Sequence, residues 1–243
     1  MRLDAWLVAK GHFSSRARAQ AAIRAGLVLV NGRVVTRPAA SVGDGGMVEV
    51  RGDPIGFVGR GGLKLEAALR HFDVKVQDRV CLDVGASTGG FTDCLLRAGA
   101  RLVYAVDVGT GQLHPRLRGD HRVVSLEGTD IRELATLPPE WPAAPTMAVV
   151  DVSFIGLAHV LPPVRALLGP EGEGLVLVKP QFEVGPGGVG KGGLVKDEQA
   201  RRRAVRQVME AAREGGWTVR GVFPSPVPGK DGNQEYFLSL ARR

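Results

Sequence analysis

The chain has 243 residues, enough for one α/β domain plus a small module, and its apolar fraction of 44% is that of a globular protein. It carries 32 Lys and Arg against 25 Asp and Glu, a net charge of +7 that suits a polyanionic partner. Two cysteines, Cys81 and Cys94, are too few and too poorly spaced for a disulfide framework or a zinc site, no apolar run approaches a membrane span of ~18 residues, and residues 1–4 lack a signal peptide's apolar core. A reducing cytoplasm is therefore expected, with no metal, no membrane and no obligate protein partner.

The basic excess lies at the start of the chain. Residues 1–60 hold nine Lys and Arg against four Asp and Glu (+5), which leaves 23 against 21 (+2) for the rest. Residues 2–10 put Leu3, Trp6 and Leu7 on one helical face, and Ser14-Ser15 supplies an N-cap for a second helix closed near Gly26. Arg16, Gln20 and Arg24, four apart, form one basic stripe that is either a solvated face or a phosphate-contacting surface. Two short strands then flank Asn31-Gly32, a strong hairpin signal, and residues 47–50 add a third. A glycine-rich stretch reads as a linker over residues 53–62, between a module at 1–52 and a larger domain at 63–243.

Lys64 opens a helix with Leu65, Leu69 and Phe72 inward. The larger domain is organised around residues 80–96, VCLDVGASTGGFTDCLL. An apolar strand over 80–82 stops at Asp83, turns through glycines, and enters a helix at Phe91 or Thr92, the pattern by which a doubly wound α/β sheet builds a nucleotide site. Further strands over 101–106, 146–150 and 175–178 end at Asp107, Asp151 and Lys179, and one over 123–126 is followed by Glu127-Gly128-Thr129-Asp130. A helix over 197–215 with Ala204, Val205, Val208 and Ala212 inward precedes two last strands, at 217–223 and 236–240. Polar residues thus gather at the C-terminal strand ends, where such sheets bind ligands.

Three nucleotides compete for the turn. NAD(P) prefers G-x-G-x-x-G, and Gly85-Ala86-Ser87 breaks the second glycine. A P-loop look-alike at residues 185–191, GPGGVGK, fails at Gly192, where Ser or Thr should hold the magnesium. S-adenosylmethionine fits better, because it has no pyrophosphate. Its expected contacts are Asp83, Gly85, Ala86, Ser87, Thr88, Gly89, Phe91 and Thr92 around the turn. Asp107 would meet the ribose and Asp130 the adenine amino group, with Val108 and Asp151 also among the cofactor contacts. Residues 151–154, DVSF, lack the proline pair usual in amino-group methylation of bases, and neither cysteine is placed to attack a pyrimidine. Lys64, Asp151, Lys179 and Glu235 remain, and two lysines with two acids suit the chemistry of a ribose hydroxyl. In this reading, one lysine beside another supplies a neutral amine.

Residues 2–35, RLDAWLVAKGHFSSRARAQAAIRAGLVLVNGRVV, resemble the αL RNA-binding motif. That resemblance implies structured RNA read by shape and phosphates, with Arg2, Lys10, Arg16, Arg18, Arg24 and Arg33 as contacts. The later blocks GRGGLKL (59–65), LDVGASTGGFTDCLL (82–96), VDVGTGQL (106–113), DVSFI (151–155), LVKPQFE (177–183) and GNQEYFLSL (232–240) resemble the TlyA (hemolysin A) family over essentially the whole chain. Two positions depart from its pattern: Gly59 replaces a usual serine and Asp130 a more frequent asparagine. The resemblance implies a Rossmann-like methyltransferase sheet, mostly parallel with its last strand antiparallel, behind a small α+β RNA-binding domain. It implies S-adenosyl-L-methionine as cofactor, the catalytic tetrad of FtsJ-type ribose 2′-O-methyltransferases on Lys64, Asp151, Lys179 and Glu235, and cytidines of ribosomal RNA, in ribosomal subunits, as substrate. Two other readings stand beside it: an RNA-binding protein on an idle methyltransferase fold, and a membrane-lytic protein suggested by the family's name alone.

Overall fold

Leu3 and Leu7, one turn apart, commit α1 (Leu3–Ala9) to an apolar core, and α2 (Arg16–Arg24) packs on it through Ala19, Ala22 and Ile23. The structure, a computed structural model, describes all residues except 14, 44, 53–55, 135, 137 and 140, and the side chain of residue 186. The expected cap Ser14 and part of the expected linker, 53–55, therefore lie outside the described residues. Ser15 caps α2, its Oγ accepting the Arg18 N–H at 3.3 Å. Strands β1 (Val28–Val30) and β2 (Arg33–Val34) join through Asn31 and Gly32, whose φ values of 51° and 75° are the left-handed pair of a type I′ turn. Strand β3 (Val48–Val50) pairs antiparallel with the other side of β1. These elements belong to the first of two units, Met1–Phe57.

The second unit, Val58–Arg243, begins with α3 (Gly61–His71). Residues 58–62 are thus not linker. The Val58 N–H donates to the Asp93 carboxylate at 2.9 Å, and Gly61 already starts the helix. The glycine there serves close packing, since a β-carbon on Gly61 would lie 3.2 Å from the Phe91 ring. Next come β4 (Val80–Val84), α4 (Gly90–Arg97), β5 (Leu102–Asp107), α5 (Pro115–Arg118), β6 (Val123–Glu127) and β7 (Met147–Val150). The chain continues through α6 (Leu161–Leu167), β8 (Glu173–Val178), α7 (Pro180–Glu183), α8 (Glu198–Glu214), β9 (Trp217–Pro224) and β10 (Tyr236–Arg242). The sheet runs β6-β5-β4-β7-β8-β10-β9, with β4 to β8 parallel and β10 antiparallel to both of its neighbours. This is the expected doubly wound sheet with an antiparallel last strand.

Around the glycine turn two boundaries differ from expectation. Strand β4 does not stop at Asp83 but carries it, fully buried, to Val84. Helix α4 begins at Gly90, one residue early. From β4 the chain builds outward to β5 and β6, then returns to place β7 on the other side. The strand order therefore reverses between β4 and β7, which opens a crevice at their C-terminal ends.

Candidate active site

The glycine turn after β4 lies in that crevice. Gly85, Ser87 and Gly89 have φ values of 84°, 48° and 91°. At Gly85 a β-carbon would lie 2.4 Å from the Asp151 carbonyl oxygen, so glycine is what lets the turn lie against the end of β7. A cavity of about 470 Å³ lies on one side of the turn, lined among others by Asp107, Val108, Asp130, Asp151 and Phe154. A smaller one of about 160 Å³, lined by Gly59–Gly61, Ala86, Thr88 and Phe91, lies on the other. Both include Gly85, Ser87 and Asp151, so the two spaces meet at the turn.

Asp107 is held ready at the end of β5, its two oxygens accepting the Ser87 and Gly109 N–H groups at 2.7 Å each. Asp130 caps a short 3₁₀ turn, accepting the Arg132 N–H at 2.9 Å. Its hydrogen bonds to the Arg132 guanidinium hold the carboxyl below its ordinary range. Asp130 was expected on an adenine amino group; the structure places it at the cavity wall with its oxygens shared with Arg132.

Asp83, Gly89 and Thr92 line neither cavity. Gly89 is covered by Leu113 and Leu117, and a β-carbon there would meet a Leu117 methyl at 2.2 Å. Thr92, fully buried, gives its hydroxyl to Asp83 Oδ2 at 2.6 Å. Asp83 Oδ1 is buried with no donor among the described residues, and desolvation pushes the Asp83 carboxyl up to about 7. Burial also pushes the Cys81 and Cys94 thiols up to about 12, as befits two packed apolar side chains.

The tetrad forms two ion pairs. Lys64 Nζ lies 2.6 Å from Glu235 Oε2, with the pair almost wholly buried. Lys179 Nζ lies 2.6 Å from Asp151 Oδ1 and donates to Ser153 Oγ at 3.0 Å. Sheet order brings them to one edge: β7, β8 and β10 are successive strands, and Tyr236 sits opposite Val178. The α3 N-terminus closes the group, since a β-carbon on Gly61, one turn before Lys64, would be 3.9 Å from Asp151 Oδ2. The sequence reading set lysine beside lysine; the structure gives each lysine its own carboxylate.

Phe154 was not foreseen. It is 90% exposed, has a φ of 63° that a side chain rarely adopts, and sets its ring 4.9 Å from that of Phe182. Glu183 braces the same loop by accepting the Leu157 N–H at 3.0 Å, and burial raises its carboxyl above the usual range. Glu127 was missed too: it accepts the Gln112 and Leu113 N–H groups at 2.7 and 3.1 Å and so fixes the loop after Asp107. An acid at a strand end is the one sequence signal that could have found it.

In the first unit the expected basic stripe divides. Arg16 and Gln20 turn to Asp4, while Arg24 stays exposed, as do Lys10 and Arg33. Arg2 also binds Asp4, and Arg18 donates to the Phe57 carbonyl.

A family model of FtsJ-like methyltransferases matches residues 57–242, and one of S4 domains matches residues 1–48. The 16S/23S rRNA (cytidine-2′-O)-methyltransferase TlyA of Mycobacterium tuberculosis is 47% identical over 98% of this chain and 89% of its own length. Hemolysin A of Brachyspira hyodysenteriae is 40% identical over 97% and 98%. A solved structure of a proposed hemolysin from Streptococcus thermophilus superposes with a TM-score of 0.77 at 40% identity, covering 100% of this chain and 88% of that one.

Proposed function

The chain belongs to the FtsJ-like methyltransferases that carry an S4 domain, and from that premise we propose that it methylates the 2′-hydroxyl of a cytidine ribose in the ribosomal RNA of one or both subunits, in the cytoplasm. The observation that carries the reading is the pairing of Lys64, on α3, with Glu235 and of Lys179 with Asp151 at the ends of neighbouring strands, where Asp151 alone of the four lines the two cavities. Four such groups on one edge favour an enzyme over an RNA-binding protein with an idle fold.

The residues present fit S-adenosylmethionine. Two spaces meeting at a glycine turn suit a nucleoside joined to an amino-acid tail. Asp107 would take the ribose hydroxyls. Val108 and Ile131 offer apolar walls to the adenine, with Asp130 at its edge. The unpartnered Asp83 Oδ1 favours a donor, reached through the turn. Bound there, the cofactor supplies an electrophilic sulfonium methyl.

Lys179, held between Asp151 and Ser153, is the group that meets the 2′-oxygen. It would take up the hydroxyl proton while passing one of its own to its ion partner Asp151, and a cofactor bound there would supply the methyl group to that oxygen. The Lys64–Glu235 pair holds the α3 terminus against Asp151 and so fixes the geometry. Phe154 presents a ring to a base turned out of its stack.

Transfer of a labelled methyl group to isolated subunits, with mapping of the modified ribose, tests the reading. Lys179→Ala is expected to lower transfer by about 10³-fold or more while calorimetry finds cofactor binding retained. Loss of cofactor binding along with transfer would overturn the role given to Lys179. Two relatives carry hemolysin names; among the described residues no helix is long and apolar enough to cross a membrane.

A further inference from the structure

We propose that the cavity at the N-terminal ends of β7 and β8 is a second ligand site, built for a ring-bearing phosphate of nucleotide size. The inference goes beyond the methyl transfer read above, and its failure would leave that reading standing.

The cavity measures about 480 Å³, as large as the 470 Å³ space beside the glycine turn that suits a nucleoside. It lies at the other end of the sheet. Glu173, on its rim, opens β8, and Lys179 follows the last residue of that strand, about 20 Å away at ~3.3 Å per residue. Half-buried Phe72 and Val74 form an apolar wall. Ser239, on β10, forms part of the floor: it is 7% exposed, and its hydroxyl has no hydrogen-bond partner among the described residues. Buried polar groups ordinarily find partners, so this hydroxyl marks the floor as a place for a ligand's polar atom.

The two arginines of the rim are held differently. Arg79 uses all three of its nitrogens: Nε donates to Thr146 Oγ1 at 3.1 Å, Nη1 to Glu173 Oε2 at 2.6 Å and Nη2 to the Thr146 carbonyl. Arg220 gives only Nη1, to Glu173 Oε1 at 2.5 Å, and its side chain is 55% exposed. Burial raises the Glu173 carboxyl, but the hydrogen bonds from Arg79 and Arg220 outweigh it and hold the group below its ordinary range. Glu173 thus stays ionised and fixes Arg220 through one nitrogen, which leaves the rest of the guanidinium fork for an anion. Lys75, Arg79 and Arg220 outnumber Asp73 and Glu173 by three to two on the lining. Lys75 pairs with Asp73, but the two side chains are 80% and 82% exposed, so the pair is weak and the lysine can turn to a second phosphate oxygen.

The edge strand is shaped to put Arg220 there. Ser239 pairs with Gly221 and Leu240 with Val219, so Arg220 is the extra residue of a β-bulge. Before the bulge, Trp217 and Val219 pack into the core with Leu238 and Leu240. After it, Phe223 stacks on His71 at 4.0 Å, and Gly221 lies against Phe72, where a β-carbon would come 2.9 Å from the ring. The bulge therefore turns β9 over, and Arg220 stands where the strand changes face, beside the wall that Phe72 forms.

The test uses the full chain, with adenosine 5′-monophosphate as the probe in calorimetry. The probe is expected to bind at a site from which saturating S-adenosylhomocysteine does not displace it. Complete displacement would put the probe in the cofactor crevice, and no binding at millimolar probe would deny the cavity this class of ligand; either result overturns the proposal. Arg220→Met should weaken the probe about tenfold or more, and Ser239→Ala about threefold. Affinity equal to wild type in Arg220→Met overturns the site; if that variant fails to fold, the same outcome in Ser239→Ala does so. Adenosine, which lacks the phosphate, should bind about tenfold more weakly than the probe. Inorganic phosphate bound as tightly as the probe would mean that the apolar wall contributes nothing, and would overturn the ring-bearing class. Wild-type protein that binds the probe but not S-adenosylhomocysteine would instead sink the functional reading and leave this site in place.

Discussion

Asp4 in the first unit and Asp83 in the second are both at 0% exposure, yet burial leaves them in opposite states. Asp4 is ringed by two guanidinium groups, an amide and a backbone N–H, and its carboxyl is held well below the usual range. Asp83 meets the Thr92 hydroxyl, has an oxygen with no donor among the described residues, and has acidic neighbours in Asp151 and Asp107; desolvation pushes it up to about 7. Depth and donors together decide whether a buried carboxylate is a fixed charge or a titrating group: desolvation dominates at Asp83, deep in the sheet, and charged donors dominate at Asp4. The difference matches position: the saturated one anchors side chains that face solvent, and the unsaturated one lies two residues ahead of the glycine turn at Gly85.

The sharpest break of this contrast is Asp83→Asn. An unfolded aspartate gives up its proton near pH 4, whereas the folded one keeps it to about 7. Between those values the folded state binds more protons, so raising the pH should lower stability, by up to about 4 kcal/mol across the window. The amide cannot titrate, so the stability difference between wild type and variant should change by that amount between pH 4 and 7. A difference that stays constant across that range would mean that Asp83 is not raised. Next in size is Asp4→Ala, expected to cost about 2–3 kcal/mol, because Gln20 and the Ala5 N–H lose their acceptor while the half-exposed arginines turn to water. Hydrogen exchange should quicken across α1 and α2 and leave β4 and α4 unchanged; quickening in both units would mean that Asp4 is not a local anchor.

The sequence carried the frame of the second unit well, because apolar runs ending in acids and a glycine turn are local patterns with local causes. What it could not carry was pairing at a distance. Lys64 and Glu235 are 171 positions apart, and only the insertion of β10 beside β8 brings Glu235 to the edge that holds Lys179. No periodicity encodes that order; the family resemblance supplied the tetrad. Arg16, Gln20 and Arg24 do share a helical face, but the pattern within α2 is silent on Asp4, 12 and 16 positions upstream of the first two. Asp83 was placed at a strand end because charge ordinarily stops a strand. Thr92, nine positions on, is what lets it stay inside. Gly61 and Gly62 looked like linker because glycine usually marks freedom, whereas Gly61 marks contact with Phe91.

The smallest expected effect isolates that one donor. Thr92→Val keeps the shape of the side chain and removes the hydroxyl that meets Asp83 Oδ2 at 2.6 Å. At pH 8 the wild-type Asp83 is largely ionised and depends on that hydrogen bond, so the variant should be less stable by about 1 kcal/mol. At pH 5 the folded carboxyl is neutral, its need for a donor is weaker, and the loss should shrink. The difference in unfolding midpoint between wild type and variant should therefore widen as the pH rises. A loss of equal size at both values would mean that Thr92 acts through packing alone, and that the contrast between Asp83 and Asp4 does not turn on how many donors each carboxylate finds.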